Sequence, residues 1–504
     1  MVSSNGIEIG CMVISSPPSQ NEVSVFSRTR QHEGEPMATE GPQDQGVGLP
    51  PHLVSWIESV AGGTLASARR MAGGGRKQAW FIDLDVQGAA QRLFFRWDPT
   101  DLSSTGDPWT VRREAAIYEA LNGSGLPVAA FVGLHPTEQA LLLTCLPGEA
   151  RFSRMRDEAD RIAVATDFMG HLAGLHRLDP QALGLIPTDS AVTLADLVHE
   201  QIAEFDAIIE TRGGAVDPVL QLAIDWLRAN VPAVDGPIVV VQGDTGPGNF
   251  MYADGKVTAI VDWELAHLGD PMDDVAWVQL RSLQDPFGDL DSLFAVYAEQ
   301  SGNALDAARI KYYRVLAEAK IMVMGHGVSV RSRTDGEGGG GDPGARLIFG
   351  QLHRRLCAET LADVMGVDLP QPVPFPDTAP TDDDALFDIV LGQMRDVITP
   401  KIEDSLAQQR IKGLARVLKY LAESSRHRAW VDAAELAEID AALATQHTDV
   451  AAARDALANA VATRTIDPAL ALSTVYRQIL RQNELLRSAS GVLADRHYSP
   501  VSAR

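Results

Sequence analysis

The segment 238–276, which reads IVVVQGDTGPGNFMYADGKVTAIVDWELAHLGDPMDDVA, constrains the fold of this chain more than any other part. Within it, the dipeptide Asp254-Gly255 separates two alternating apolar runs, which is the strongest short-range signal of a β-hairpin. A two-residue turn at that point pairs Asn249 with Ile260. Because side chains alternate between faces along a strand, Asn249 and Asp262 are predicted to share one face as diagonal neighbours, about 7–8 Å apart at the backbone.

The residue types at this end of the hairpin suit phosphoryl transfer. Two oxygen-bearing side chains at the separation predicted for Asn249 and Asp262 can hold one Mg²⁺ between them, at about 2.1 Å per bond. Asp244 precedes the first strand, in the glycine-rich loop 243–248, and is placed to face the same end. The reaction needs charge neutralised at the β- and γ-phosphates and a carboxylate that orients or deprotonates an attacking hydroxyl. These side chains supply both kinds of group.

The order of these residues resembles the Brenner-type motif of the aminoglycoside phosphotransferases and their choline kinase-like relatives. That motif reads HGDxxxxN, then a hydrophobic residue with DxE, then GDPxxDLA. This chain has Gln242-Gly243-Asp244 and Asn249, then Asp262-Trp263-Glu264, then Gly269-Asp270-Pro271 and Asp274. The segment VDWELAHLGDPMDDVAW is especially similar to the kinase domains fused to some acyl-CoA dehydrogenases.

The resemblance implies a role for each matching residue. Asp244 is the expected catalytic base, Asn249 and Asp262 are the expected Mg²⁺ ligands, and ATP is the expected phosphoryl donor. Asp274 is expected to tie the loop structurally. Gln242 replaces the usual His of the motif, and since that His is mainly a framework residue in the family, the replacement is expected to be tolerated.

The resemblance extends more loosely to the residues before the motif. Gly74 and Gly75, before the apolar run 79–86, match the loop that covers the phosphates, with a plain surface turn as the alternative. Arg96 stands where the family has a phosphate-binding Lys or Arg, and Glu114 stands where its ion-pair partner belongs. The alternative is that Arg96 and Glu114 are ordinary surface charges.

Predictions can also be made for the segment 143–146, for His176 and for an acidic cluster. By the same resemblance, Thr144 and Leu146 belong to the hinge, Leu143 to Leu146, that offers backbone groups to adenine. His176 ends a segment similar to the core helix of the family, where it is predicted to be a buried packing residue. An acidic cluster is either a solvated helix face or the lining of a pocket for a cationic substrate; its members are Glu200, Glu204, Asp206 and Glu210.

The resemblance and the periodicity together predict a protein kinase-like α+β fold with two lobes, followed by an α-helical C-terminal domain. We expect a disordered tail at 1–48, an N-lobe at 49–146 and a C-lobe with the catalytic hairpin at 147–366, where helices resume from Asp289 onward. Alternating prolines favour an extended linker at 367–380. A helical domain of unknown function is expected at 381–504. As a hypothesis, translation begins at Met37, which N-terminal sequencing of the native protein would test.

Composition bounds the partners and the compartment. The net charge of −24 offers no basic stripe to replace phosphate counterions, so a nucleic-acid partner is not expected. The three cysteines are far apart and form no CxxC pair, which argues against a disulfide framework or a zinc site. No apolar run approaches the ~18 residues that span a bilayer, and no secretory signal begins the chain. We therefore expect a cytoplasmic protein with no membrane partner.

The leading functional hypothesis is ATP- and Mg²⁺-dependent phosphorylation of a hydroxyl on a small molecule. The likeness of DWELAHLGDP to the dehydrogenase-fused kinases favours a hydroxyacyl thioester or a related metabolite as substrate. An acidic pocket would instead favour an aminoglycoside or another amino sugar. A non-catalytic pseudokinase that binds a partner is the third possibility, on the grounds of Gln242 and the unusual glycine-rich loop. The oligomeric state stays open.

Overall fold

The computed structural model describes residues 48–71, 77–100, 107–187, 189–233, 235–327 and 342–500. Its strands are β1 (Thr64–Arg70), β2 (Gln78–Val86), β3 (Ala89–Asp98), β4 (Phe131–Leu134), β5 (Gln139–Thr144), β6 (Val239–Val241), β7 (Phe250–Ala253), β8 (Lys256–Ile260) and β9 (His267–Gly269). Its helices are α1 (Pro51–Ala61), α2 (Val111–Leu121), α3 (Glu158–Leu175), α4 (Leu194–Arg212), α5 (Pro218–Ala229), α6 (Pro271–Gln284), α7 (Leu290–Ser301), α8 (Ala307–Gly325), α9 (Pro343–Met365), α10 (Asp382–Gln393), α11 (Ser405–Leu443), α12 (Val450–Ala462) and α13 (Pro468–Ser490). None of the helices in these ranges combines the length and apolar character needed to cross a bilayer.

The N-lobe is built on an antiparallel sheet with the strand order β1-β2-β3-β5-β4. Both faces of this sheet are covered, which explains why β2, β3 and β5 read as nearly continuous apolar runs. Phe81 and Phe94 belong to the main core together with residues of α2. Ile82 and Phe95 face the other way and pack with Ile57 of α1.

The C-lobe is mostly helical, and the helices beyond the proline-rich segment pack against it. α11 and α13 contact α9, while α12 contacts α5. Ile439 of α11 and Ile479 of α13 belong to the same buried cluster as Leu361 of α9. Residues 367–380 contain neither helix nor strand. The boundaries between domains stay a prediction, but the C-terminal helices share a core with the C-lobe.

The predicted register of the hairpin was wrong by one residue at its open end. Next to the turn the pairs are as expected, but a β-bulge follows, and Phe250 pairs with Ile260. Thr258 is the extra residue, and its hydroxyl donates to the carbonyl of Pro147. Asn249 therefore lies opposite Val261, whose N–H donates to the Asn249 carbonyl at 3.0 Å. A bulge leaves no mark in an alternating apolar pattern, since it needs only one unpaired residue.

The expectation that helices resume only at Asp289 was also wrong, because α6 already begins at Pro271. The side chain of Asp270 caps this helix by accepting from the N–H of Met272, and Pro271 occupies the first helical position. Asp before Pro is a known helix start, so the sequence Gly269-Asp270-Pro271 of the motif is itself a capping signal. This helix supplies side chains to the site described next.

Candidate active site

The loop that carries Asp244 is held by the buried amide of Gln242. Its Nε2 donates to the carbonyl oxygens of Val261 at 3.1 Å and of Asp262 at 2.9 Å. Its Oε1 accepts from the backbone N–H of Asp244 and from the hydroxyl of Thr245. One neutral side chain therefore joins the loop before β7 to the residues that follow β8, and all of its hydrogen-bonding groups are used.

Asp274, in the first turn of α6, holds the same loop. Its carboxylate oxygens accept from the backbone N–H groups of Gln242 and Gly243, each at 2.9 Å. His176 and the hydroxyl of Thr245 complete its contacts. Burial alone would raise the pKa of Asp274, but these hydrogen bonds lower it below its usual value. The geometry agrees with the structural roles expected for Asp274 and His176.

Both oxygens of the Asp244 carboxyl group are contacted. Nδ2 of Asn249 donates to Oδ2 at 2.6 Å and to the backbone carbonyl of Asp244 at 2.7 Å. Nε of Arg281 forms an ion pair with Oδ1 at 3.2 Å, without the alignment of a hydrogen bond. Burial raises the pKa of Asp244 to about 6, although Arg281 opposes the shift. A carboxyl group in this range is suited to proton exchange near neutral pH.

Arg281 is a residue of the site that the sequence reasoning missed. It lies on α6 two turns after Asp274, on the same helix face. The loop packs directly on it: Gly246 has a φ of +137°, and a side chain there would approach Cβ of Arg281 to 2.8 Å. A helix predicted from the Asp-Pro start would have placed Arg281 beside the loop.

Asp262 leaves the strand in the left-handed backbone conformation, with a φ of 62°. Aspartate and asparagine tolerate this conformation better than most residues, and such strain is concentrated at functional sites. Burial, followed by the charge of Glu264, raises the pKa of Asp262. Asp262 in turn raises the pKa of Asp244, so the two carboxyl groups share one electrostatic environment. The structure thus brings Asp244 and Asn249 into contact, with Asp262 nearby.

Arg96 is the centre of a buried ion-pair cluster. It lies 3.1 Å from Glu114, 3.1 Å from Asp262 and 2.7 Å from Glu264. Lys77 contacts Glu264 at 2.8 Å. Burial raises the pKa of Glu114 to about 7, although Arg96 opposes the shift. The expected pairing of Arg96 with Glu114 is present, whereas Lys77 and the role of Glu264 as a bridge were not anticipated.

The donor set at the open end of the hairpin fits Mg²⁺. Oδ1 of Asn249 is buried and has no hydrogen-bond partner among the described residues, while the Asp262 carboxylate is also buried. Mg²⁺ prefers such oxygen ligands and is usually completed by water and substrate phosphates. In the described ranges, no group of three or more His, Cys, Asp and Glu side chains is arranged to hold a metal by itself. A Mg²⁺ held by Asn249 and Asp262 would complete its shell with water and phosphate oxygens.

The other residues predicted to contact the nucleotide are Gly74, Gly75, Thr144 and Leu146. Gly74 and Gly75 lie outside the described residues. The backbone N–H of Thr144 donates to the carbonyl of Ala130, and so it is not available to adenine. Leu146, just beyond β5, packs against the buried cluster that includes Met251 of the hairpin sheet. Leu146 stays a predicted hinge residue.

The acidic cluster on α4 is partly neutralised. Glu204 forms an ion pair with Arg113 at 2.9 Å, and Asp206 forms one with Arg228 at 2.6 Å. Carboxylates that are already paired at a surface have less charge to offer a cationic ligand. The geometry therefore favours the solvated helix face over a pocket for an amino sugar.

Gln242→Glu provides a test of the loop contacts. The substitution keeps the shape of the side chain but turns an oxygen toward the two carbonyl groups that now accept from Nε2. We expect the free energy of unfolding to fall by about 2–6 kcal/mol, because each lost buried partner costs about 1–3 kcal/mol. Urea unfolding would measure the change. Gln393→Glu, on an exposed position of α10, is the control, and equal stability of the two variants would refute the role of Gln242.

Comparison with known proteins places the site in a family. Residues 67–318, half of the chain, match the model of the phosphotransferase enzyme family. The chain is 29% identical over 124 residues to acyl-CoA dehydrogenase family member 11 of Rattus norvegicus. It is 27% identical over 178 residues to acyl-CoA dehydrogenase family member 10 of Mus musculus. These matches cover 24% and 33% of this chain and only 16% of each relative, so they concern one part of much longer proteins.

Solved structures with similarity to this chain include aminoglycoside phosphotransferases. One is a Ralstonia eutropha protein described as an aminoglycoside phosphotransferase, with a TM-score of 0.47, 21% identity, and coverage of 63% of this chain and 98% of that protein. Another is a thermostable aminoglycoside phosphotransferase mutant in complex with AMP-PNP and hygromycin B, with a TM-score of 0.45, 14% identity, and coverage of 63% and 100%.

The family match agrees with the order of residues in the motif. The resemblance to the aminoglycoside phosphotransferases and to the kinase-like domain of acyl-CoA dehydrogenase family members is confirmed. The kinase-like α+β fold with a helical C-terminal region is also confirmed. The chain belongs to the phosphotransferase enzyme family.

Proposed function

We propose that this protein transfers the γ-phosphoryl group of ATP to a hydroxyl group of a small molecule, with Asp244 as the catalytic base. The observation that carries the proposal is the contact between Asp244 and Asn249. The amide donates both of its hydrogens to Asp244, and its own buried oxygen has no partner within the part of the chain that the structure describes. A purely structural amide would use that oxygen, because a buried acceptor without a hydrogen bond is costly.

Each residue of the site has a separate role in the proposed reaction. Asn249 fixes Oδ2 of Asp244, while Oδ1 of Asp244, which is ion-paired with Arg281 but not aligned for a hydrogen bond with it, accepts the proton of the acceptor hydroxyl. Arg281 holds a positive charge beside that oxygen and opposes the rise in the pKa of Asp244 that burial causes. Asn249 and Asp262 would hold Mg²⁺, which when bound neutralises charge on the phosphates. Arg96, held in place by Glu114, would bind phosphate oxygens from the N-lobe side.

The acceptor is proposed to be a hydroxyacyl thioester or a related metabolite. The support is the similarity to acyl-CoA dehydrogenase family members and the DWELAHLGDP segment. The paired carboxylates of α4 give little support to an amino sugar. ATP consumption with a panel of hydroxyacyl thioesters, free hydroxy acids and aminoglycosides would test the proposal. No turnover with any hydroxyl compound, despite Mg²⁺-dependent ATP binding, would favour the pseudokinase.

Asp262→Asn tests the metal site. Asparagine tolerates the left-handed backbone, so the fold should persist while one negative ligand is lost. We expect the gain in ATP affinity on addition of Mg²⁺ to shrink by on the order of tenfold, about 1.4 kcal/mol, in titration calorimetry. Asp254→Asn is a matched control, because Asp254 in the turn of the same hairpin has a φ of 50°. An unchanged response to Mg²⁺ in Asp262→Asn would remove this residue from the metal site.

A further inference from the structure

A cavity lies where the C-terminal helices meet the C-lobe, away from the candidate active site. It is lined by residues of α5, α8, α9, α11, α12 and α13. Its volume is about 880 Å³, within the range of about 300–1,000 Å³ that is usual for small-molecule sites. Leu220, Val431 and Leu457 line it, and each is at most 2% exposed. Ile321 and Met322 extend this apolar wall. The wall can bury an apolar body.

Of the four carboxylates that line the cavity, those of Asp217 and Glu435 already have their oxygens paired, while Asp432 and Asp455 lie at its more exposed side. Oδ1 of Asp217 accepts from the N–H of Val219, and Oδ2 accepts from Nε of Arg354 at 2.7 Å. The two oxygens of Glu435 accept from Nε and Nη2 of Arg454. These carboxylates therefore have little left to offer a ligand that donates hydrogen bonds.

Donor groups, in contrast, are left over at the same cavity. Among the described residues, the hydrogen bond of Arg354 uses only Nε, and a guanidinium has five N–H groups. Gln478 lines the cavity, is 9% exposed, and its buried Nε2 has no hydrogen-bond partner in the described part of the chain. A buried donor without a partner calls for an acceptor, from a ligand or an ordered solvent molecule.

We propose that this cavity binds an acyl chain whose head group carries hydrogen-bond acceptors, as a carboxylate does. The apolar wall takes the chain, while Gln478 and the spare N–H groups of Arg354 take the head. This site lies apart from the residues assigned to phosphoryl transfer. The binding does not depend on the proposed catalytic activity.

The test is titration calorimetry of the full chain with decanoate, with decylamine as the opposing probe. Decanoate should bind more tightly than decylamine, because the donors of Gln478 and Arg354 face the cavity while the carboxylates of Asp217 and Glu435 are already paired. Absence of decanoate binding, or equal binding of decylamine, would overturn the proposal.

Two variants locate the site. Gly350→Leu fills the cavity, because Gly350 of α9 lines it and a Cβ built there meets nothing within 4 Å. It should abolish decanoate binding, whereas Gly392→Leu, an equally unobstructed position of α10, should leave it unchanged. Gln478→Leu should weaken binding about tenfold, the cost of one lost hydrogen bond to a charged group. Binding to Gly350→Leu with wild-type affinity would show that decanoate binds elsewhere.

Discussion

Replacement of Asp244 by Asn is expected to reduce phosphoryl transfer by about 10²–10⁴-fold, the usual contribution of a positioned general base. Asparagine has the same shape, so its side-chain oxygen can still accept from Nδ2 of Asn249. It has no carboxylate to receive the proton of the acceptor hydroxyl. The loss should therefore appear in kcat, measured as ATP turnover with the best acceptor from the panel.

Nucleotide binding separates this effect from misfolding. The groups assigned to ATP and Mg²⁺ are Asn249, Asp262 and Arg96, and none of them is changed in Asp244→Asn. ATP affinity in the presence of Mg²⁺ should therefore stay within a factor of about three, which corresponds to about 0.7 kcal/mol. Turnover equal to that of the wild type would exclude Asp244 as the base. Loss of both turnover and binding would instead indicate a structural role.

The sequence could predict the parts of the site that depend on local chemistry. The Asp254-Gly255 turn and the alternating runs around it fixed the hairpin, because turn geometry and side-chain alternation are local properties. The pairing of Arg96 with Glu114 came only from the family resemblance. They lie 18 positions apart, and no local pattern in that stretch predicts that β3 and α2 meet.

Other parts of the site depend on contacts that no local pattern records. The bulge at Thr258 shifts the register, and the hydroxyl of Thr258 bonds to the carbonyl of Pro147, which is 111 positions away. Lys77 reaches Glu264 over 187 positions. The shared core of the C-lobe and the C-terminal helices likewise forms across an extended proline-rich segment, which from sequence reads as a boundary.

Arg96→Met is expected to lower the free energy of unfolding by about 3–5 kcal/mol. Removal of the guanidinium leaves Glu114 and Asp262, which are 1% and 4% exposed, without their common cation. Uncompensated charge in a buried position is much more costly than the loss of a surface pair. Urea unfolding of the nucleotide-free protein would measure the effect.

Arg92→Met is the matched control, because it removes an arginine from the same strand. Arg92 pairs with Asp83 at 2.6 Å, but these side chains are 50% and 35% exposed, and an exposed pair contributes about 0–1 kcal/mol.

The loss of stability in Arg96→Met should also depend on pH. Burial raises the pKa of Glu114 to about 7 from an unfolded value of 4.5, so this group is mostly protonated in the folded protein at pH 5. The stabilisation that Arg96 gives to Glu114 is small while Glu114 is protonated. It increases as the pH rises through 7, because the buried carboxylate forms. The loss of stability should therefore be greater at pH 8 than at pH 5, and a defect no larger than that of Arg92→Met at pH 8 would contradict a cluster held together by Arg96.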